Sequence, residues 1–243
     1  MDPWKLEPAH DFGLPLAERL KSANRESGLV GAISQAVWWR FVRIYLRGFH
    51  RLSVTGKAHL PKEPPFVLVA NHQSHLDALV LASQLPRAQR LVTHPIAAAD
   101  TFFDSPVSSA LAAGTLNALP MQRGRTGAHA LDDLRRRLVE ERCIYVLFPE
   151  GTRSRDGQIA KFKAGVGMFL AGTSVPVIPC HIRGAFEALP ATRKVPKPGR
   201  LSLTIGSSMT FADATQDREG WTRVAAQLEA AVRGLRSVSE ASS

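Results

Sequence analysis

Short apolar segments alternate with helical patterns along most of the chain. Continuously apolar segments of this length, set between helices, are typical of strands buried on both faces of a parallel sheet. The pattern predicts strands at Arg51–Gly56, Phe66–Ala70, Arg90–Thr93, Leu116–Met121, Cys143–Phe148, Val175–Ile182 and Leu201–Ile205. It predicts helices at Leu76–Leu85, Ile96–Gly114, Ala128–Glu141, Phe162–Ala171 and Glu219–Leu235. The alternation predicts an α/β fold with a largely parallel central sheet flanked by helices.

The part of the chain before this alternation is predicted to be helical. Its longest helical pattern runs over Gly28–His50, and the proline-rich Pro61–Pro65 follows the first short strand. We therefore expect an N-terminal helical segment over residues 1–50 and one α/β domain over residues 51–243. Met1–Leu20 carries acidic residues among prolines and lacks the basic and then apolar pattern of a secretory signal.

The longest charge-free stretches are Ser105–Gln122 and Ala164–Ile182. Prolines and hydroxyl residues interrupt both, unlike the roughly 20 apolar residues that cross a bilayer. Contact with a membrane is therefore expected to be peripheral.

The net charge of the chain restricts the class of molecule that it is expected to bind. The 243 residues contain 31 Lys and Arg against 21 Asp and Glu, a formal net charge of +10. This excess leaves nucleic acid, an acidic membrane surface and phosphorylated substrates as candidates. There is no zinc-finger spacing and no aromatic block typical of RNA-binding sheets, so we expect no nucleic-acid partner. Cys143 and Cys180 lie in apolar stretches and are expected to be reduced and buried.

The first strand end that carries chemistry is Asn71–Asp77, which reads NHQSHLD. Ser74 suits a helix N-cap, with Asp77 in capping-box position. His72 on the turn can then meet Asp77 in the first helical turn. A carboxylate against one ring nitrogen leaves the other as a general base, as in a hydrolytic triad without its serine. The nucleophile would belong to the substrate.

Two other interpretations of this segment remain open. The pair could serve only to cap the helix. His72, His75 and Asp77 could instead bind a metal ion, although the sequence suggests no fourth ligand.

The second strand end is Phe148–Ser154, which reads FPEGTRS. Pro149 and Gly151 favour a tight turn with exposed backbone N–H groups. With Arg153 on that turn and further basic residues after it, the segment suits a phosphate, although a solvated surface loop is the alternative. Arg123, after another strand, is a third candidate for the same anion pocket.

Taken together, these motifs resemble the glycerolipid acyltransferase family, whose best-known members are the 1-acylglycerol-3-phosphate acyltransferases. NHQSHLD looks like the family's N-H-x-S-x-x-D block, and FPEGTRS is identical to its usual third block. KFKAG at Lys161–Gly165 resembles the segment that follows, and VPVIP at Val175–Pro179 looks like the fourth block. The resemblance covers roughly Leu52–Phe211.

The second block departs from the family pattern. Asn117–Arg123 keeps the arginine but lacks the glycine and phenylalanine usual in members that act on lysophosphatidic acid. The identity of the acceptor is therefore open, with a phosphate-bearing lysolipid as first choice.

The resemblance implies transfer of a fatty acyl group from acyl-CoA or acyl carrier protein to the free hydroxyl of a lysophospholipid, most simply 1-acylglycerol-3-phosphate. It implies His72 as base and Asp77 as its orienting partner. Arg123, Glu150, Gly151, Thr152 and Arg153 are expected to bind the substrate or shape its pocket. No cofactor and no metal are expected. The alternatives are transfer to another lysolipid, or hydrolysis of a thioester or ester by the same pair.

The helical pattern before the first strand suggests how such a protein would reach lipid. Its arginines gather on one side: Arg40, Arg43, Arg47 and Arg51. Mostly aromatic residues gather on the other: Trp38, Phe41, Val42, Tyr45 and Phe49. This composition is typical of a helix in a membrane interface, and also of an amphipathic helix packed on a sheet. With the family resemblance it predicts peripheral attachment at the cytoplasmic face of the cell membrane.

Overall fold

The computed structural model describes residues 29–98, 119–121, 128–193 and 195–241. The strands are β1 Ser53–Thr55, β2 Phe66–Ala70, β3 Thr93–Ala98, β4 Leu119–Met121, β5 Ile144–Leu147, β6 Val177–Arg183 and β7 Ser202–Ile205. The helices are α1 Leu29–Gly48, α2 Leu76–Ser83, α3 Arg87–Leu91, α4 Ala128–Glu140, α5 Gly165–Leu170, α6 Ala185–Ala188 and α7 Arg218–Ala241, with a 3-10 turn at Lys57–His59.

Within these residues the seven strands form one sheet in the order β1-β7-β6-β2-β5-β3-β4. Every neighbouring pair is parallel except β6 and β7. Strand β2 lies at the centre, where Leu68 pairs with Val146 of β5 and Ile178 of β6. The predicted α/β fold with a largely parallel sheet is therefore confirmed. Because β2 and β5 are parallel neighbours, the two segments NHQSHLD and FPEGTRS leave the same edge of the sheet.

The core has two layers, one on each face of the sheet, because alternate side chains of a strand point to opposite faces. Phe66 and Leu68 of β2 pack in the layer beneath α1 and α2. Val67 and Val69 pack in the other layer, with residues from α4, α5 and α7. All five residues of β2 are buried, which explains its unbroken apolar sequence. The strand that precedes His72 is therefore held on both faces.

One predicted strand and the start of one predicted helix were wrong. Residues 87–91 form α3, and the next strand begins at Thr93 and runs through residues predicted to begin the helix Ile96–Gly114. Pro86, with its fixed φ, stands at the N-cap of α3, and Leu91 is exposed. The apolar pair Leu91 and Val92 was therefore no sign of a buried strand. The rest of that predicted helix lies outside the described residues.

Helix α1 packs on the sheet through a face that only partly coincides with the predicted aromatic face. Trp39, Val42 and Leu46 enter the core. Phe41, predicted to share an apolar face with Val42, is instead 58% exposed. Periodicity defines the faces of a helix, but it does not say which angle meets the sheet. None of the helices in the described ranges is both long enough and apolar enough to span a membrane.

The two cysteines are placed as expected. Cys143 and Cys180 are both buried, and neither forms a disulfide. Burial raises the pKa of each thiol.

Candidate active site

The structure brings His72 and Asp77 together at the carboxyl end of β2. His72 lies on the turn after the strand, and Asp77 is the second residue of α2. His72 Nδ1 and Asp77 Oδ2 are 2.9 Å apart. The same oxygen accepts hydrogen bonds from the backbone N–H groups of Gln73, at 2.6 Å, and Ser74, at 2.7 Å. The carboxylate thus holds both the turn and the imidazole.

This network assigns the tautomer of His72. Asp77 Oδ2 is an acceptor for two backbone N–H groups, so the ring nitrogen that faces it carries the proton. Nε2 then keeps its lone pair and can accept a proton. The Asp77 side chain is fully buried, whereas 13% of the His72 side chain is exposed. This arrangement suits a general base with a buried orienting partner.

The start of α2 differs from the expected capping box. The carboxylate of Asp77 bonds the backbone N–H of Ser74, as that motif requires. However, Ser74 Oγ accepts from Leu76 N, at 3.1 Å, and not from Asp77 N. The residue at the N-cap is His75, whose side chain makes no capping hydrogen bond. Ser74 therefore supports the turn just before the helix, which begins one residue later than a Ser74 cap would place it.

The backbone of His72 is held by the neighbouring loop from β5. Its N–H donates to Glu150 Oε1, at 2.8 Å, and its carbonyl accepts from Ser154 N, also at 2.8 Å. The imidazole stacks on Phe148, with ring centroids 4.2 Å apart and planes 17° apart. The two sequence motifs therefore form one unit, in which the second fixes the position of the first.

The buried side chain of Glu150 stabilises this unit through two backbone hydrogen bonds. Its Oε2 accepts from Ala160 N, at 2.9 Å, so each carboxylate oxygen holds a different backbone segment. Burial raises the pKa of Glu150, although the hydrogen bonds from Ala160 and His72 act in the opposite direction. With both oxygens engaged, the role that the structure supports for this side chain is to shape the loop.

Gly151 makes the turn that the Pro-Glu-Gly sequence predicts. Its φ is +75°, and its N–H donates to the carbonyl of Phe148, at 3.0 Å. A Cβ atom at this position would lie 2.5 Å from Lys163 Nζ. Glycine is therefore favoured here by its backbone conformation, while the exposed lysine side chain could move aside for a Cβ. Thr152, the next residue, is exposed.

Arg153 reaches back towards the first motif. Its Nη1 contacts His75 Nε2, next to the His72 and Asp77 pair. The pKa of His75 is lowered to about 4, first by burial and then by the charges of Arg153 and His72, while Asp77 raises it. His75 is thus neutral near pH 7, and its Nε2 can accept a hydrogen bond from the guanidinium. The structure places the arginine beside the candidate base.

The metal interpretation finds no geometric support in the described part of the chain. His75 faces a guanidinium, which repels a metal ion. No group of three or more His, Cys, Asp or Glu side chains among the described residues is placed to hold a metal. Arg123, the other expected anion contact, lies outside the described residues.

Sequence reasoning missed several residues that build the site. Asn71 is fully buried and pairs twice with the backbone of Ile182 in β6, through Nδ2 to the carbonyl, at 2.9 Å, and Oδ1 to the N–H, at 2.8 Å. Gln73 Nε2 donates to the carbonyl of Gly157, at 2.6 Å. An asparagine directly after a buried strand was the available signal for the first contact. Nothing in the local sequence indicated the second.

The far end of the loop is fixed by α7. Glu229 accepts from Phe162 N, at 2.9 Å, and also pairs with Arg233. Arg233 donates to the carbonyl of Ile159, at 2.6 Å. These helix residues, remote in sequence, hold the segment that contains the basic side chains Arg155, Lys161 and Lys163, all of which are exposed.

The histidine and carboxylate pair and the arginine loop lie on the two motifs, NHQSHLD and FPEGTRS, that resemble blocks of the glycerolipid acyltransferases. The model of the Acyltransferase family matches residues 51–183, which is more than half of the chain. The chain therefore belongs to the Acyltransferase family.

Several known proteins similar to this chain are named 1-acyl-sn-glycerol-3-phosphate acyltransferases. It is 30% identical over 177 residues to 1-acyl-sn-glycerol-3-phosphate acyltransferase alpha of Mus musculus, covering 71% of this chain and 59% of that protein. It is 32% identical over 144 residues to the beta enzyme of Homo sapiens, covering 59% of this chain and 50% of that protein. The chain thus spans about half the length of the curated relatives that it matches.

A solved structure gives the same relationship at the level of the fold. The crystal structure of the 1-acyl-sn-glycerophosphate acyltransferase PlsC from Thermotoga maritima superposes with a TM-score of 0.65 at 25% sequence identity. The match covers 86% of this chain and 81% of that one.

Proposed function

We propose that the protein is an O-acyltransferase that moves a fatty acyl group from a thioester, acyl-CoA or acyl carrier protein, to the free hydroxyl of a lysophospholipid. The preferred acceptor is 1-acylglycerol-3-phosphate, which would give phosphatidic acid. The observation that carries the proposal is the His72 and Asp77 pair, buried on the Asp77 side and accessible on the His72 side. The names of the relatives support this choice of acceptor.

In the proposed reaction, His72 Nε2 removes the proton of the acceptor hydroxyl as its oxygen attacks the thioester carbonyl. Asp77 stabilises the imidazolium that forms. The tetrahedral intermediate collapses with cleavage of the C–S bond, and the imidazolium returns its proton to the departing thiolate, which regenerates the base. The thiol that leaves has a pKa near 8.5 and needs little acid assistance, so one base is enough. No acyl-enzyme is required, since the nucleophile comes from the acceptor.

Arg153 is the proposed contact for the acceptor's phosphate. It lies beside the pair through its contact with His75, and a guanidinium can bind a phosphate through two parallel hydrogen bonds. Arg123 is proposed for the same phosphate on the basis of the sequence motif alone. Gly151 and Thr152 form the adjacent turn.

We further propose peripheral attachment at the cytoplasmic face of the cell membrane, through α1. Three apolar side chains of α1 are more than half exposed: Val37 (64%), Phe41 (58%) and Ile44 (62%). Their spacing of four and three places them in one stripe, with Arg40, Arg43 and Arg47 along one side of it. An apolar stripe flanked by arginines is typical of a helix in the interface of an anionic membrane. The two unpaired, buried thiols are typical of a reducing compartment.

The activity is tested by incubating the purified protein with acyl-CoA, with and without a panel of lysophospholipids, while thiol release and lipid products are measured together. Transfer predicts thiol release that depends on the acceptor and matches the diacyl lipid formed. Acceptor-independent release with free fatty acid would identify a hydrolase. Acyl carrier protein in place of acyl-CoA tests the donor.

Membrane attachment is tested by sedimentation with anionic vesicles. Phe41→Ala/Ile44→Ala should weaken binding at every salt concentration, whereas removal of arginine charge should matter mainly at low salt. Val139→Ala, an equally exposed apolar residue on α4, is the matched control. Unchanged binding in the α1 variant would contradict the proposed attachment.

A further inference from the structure

A second basic site lies away from the candidate active site. A cleft of about 610 Å³ opens between α1, β1, the segment that follows it, and the junction of α2 with α3. Its lining includes four basic side chains, Arg43, Arg47, Lys57 and Lys62, and the last residue of α2, Ser83. Helix α2 begins beside Asp77 and ends at this cleft, and its eight residues span about 12 Å. The two sites are therefore at opposite ends of one helix.

The charges in the cleft are of one sign. Arg43, Arg47, Lys57 and Lys62 contribute cations, no carboxylate is among the lining residues, and none of the four forms a salt bridge among the described residues. By contrast, four arginines on α4 and α7 each pair with a carboxylate on their own helix: Arg136, Arg137, Arg223 and Arg233. Unpaired cations around a concave surface attract an anion.

The neighbouring Arg90 shows the same excess of positive charge. Its pKa is lowered to about 10, first by burial and then by the charges of Arg43 and Arg87. Its guanidinium lies over the Trp39 ring, 5.1 Å from the centroid, instead of facing a carboxylate. The junction of α1 with α3 thus has no compensating negative charge among these contacts.

The apolar walls of the cleft restrict the kind of ligand that would fit it. The half-buried Leu52, Val54 and Leu60 line it together with the cations, and the buried Leu46 and Leu85 lie behind them. A ligand that fits both features has a phosphate group and an apolar portion. A free inorganic anion would leave the leucine surface unused.

We propose that this cleft binds the phosphate headgroup of an anionic membrane glycerophospholipid, at a site separate from the one where the acyl group is transferred. The position of the cleft beside α1 supports a membrane lipid as the source of the phosphate group. Arg43 and Arg47 lie on the same helix as the exposed stripe of Val37, Phe41 and Ile44, so a helix with that stripe in lipid holds its arginines at headgroup level. The assignment of a lipid as the ligand depends on the proposed membrane attachment. The inference of a binding site depends only on the shape and charge of the cleft.

The test uses monomeric dihexanoyl phosphatidylglycerol below its critical micelle concentration, so that no membrane surface is needed. Binding to the full chain is measured by calorimetry, and its location by backbone amide chemical shifts. We expect saturable binding with shifts in residues 43–62 and 83–89. Arg43→Gln/Arg47→Gln should weaken this binding about tenfold or more, because hydrogen bonds to charged groups are lost.

Arg136→Gln/Arg218→Gln removes the same charge from exposed positions on α4 and α7 and should leave binding unchanged. If the α1 variant does not fold, Lys57→Gln/Lys62→Gln tests the other wall. Shifts confined to residues 71–77 and 150–154, or no saturable binding, would overturn the proposal. Tighter binding of CoA in the cleft would assign it to a nucleotide instead, and equal binding of inorganic phosphate would remove the role of the apolar wall. Because no acyl transfer is measured, the result is independent of the proposed activity.

Discussion

Asp77→Asn separates the charge of the carboxylate from its role as a scaffold. Asp77 Oδ2 accepts from two backbone N–H groups as well as from His72. In the variant these N–H groups orient the amide so that its oxygen replaces Oδ2, since an NH₂ group there would face two donors. The turn and the tautomer of His72 are then preserved, and the negative charge is lost.

The size of the effect follows from the Coulomb energy. The charge centres of an imidazolium and a carboxylate whose nearest atoms are 2.9 Å apart are separated by about 4 Å. At an effective dielectric constant of about 20 this attraction is worth about 4 kcal/mol. The amide dipole retains part of it, so we expect the transfer rate to fall about 10²- to 10³-fold.

The assay is the initial rate of thiol release from acyl-CoA at saturating lysophosphatidic acid, together with a thermal melt. Asp133→Asn, an exposed change on α4, is the control for loss of one negative charge. Asp77→Ala is the control for the scaffold, because it also leaves the N–H groups of Gln73 and Ser74 without their acceptor. It should lose about 1–3 kcal/mol of stability for each buried donor left unpaired. A folded Asp77→Asn protein with less than about a fivefold loss of rate would refute the charge argument.

Three further outcomes are expected. Glu150→Gln should lower the free energy of unfolding in urea by about 1–3 kcal/mol, because its NH₂ group must face one backbone N–H donor. An unchanged free energy of unfolding would mean that these two contacts do not stabilise the fold. Arg153→Lys should raise KM for the lysolipid more than KM for the acyl donor, since lysine cannot make a bidentate contact; equal effects would contradict the phosphate role. His75 has a folded pKa of about 4 against an ordinary 6.5, so its contribution to stability is present above pH 6.5 and lost as the pH falls towards 4. Between pH 6.5 and 4, the melting temperature of the wild type should therefore fall further than that of His75→Gln. Parallel plots of melting temperature against pH would argue against a buried, neutral His75.

The sequence predicted the parts of the site that depend on local order. Strand β2 matched its apolar run, and the turn and first helical turn after it placed His72 against Asp77. The tight turn at Gly151 followed from the residues that permit it.

What the sequence could not predict are contacts between segments far apart along the chain. Asn71 bonds Ile182, 111 residues later, and Glu229 bonds Phe162. Such pairs depend on which strands become neighbours and on where a helix crosses, and periodicity carries neither kind of information. The same limit explains α1, where Val42 faces the core and Phe41 does not. It also explains Glu150, whose two oxygens hold residues on separate loops.

The most direct test of the central claim is the rate of acyl transfer by His72→Ala. The ring of His72 is partly exposed and stacks on Phe148, so its removal should leave the fold intact, as a thermal melt can verify. If His72 is the general base, transfer from acyl-CoA to lysophosphatidic acid should slow by at least ~10²-fold, the lower end of what such a base contributes. Near-normal turnover in a folded His72→Ala protein would contradict the mechanism.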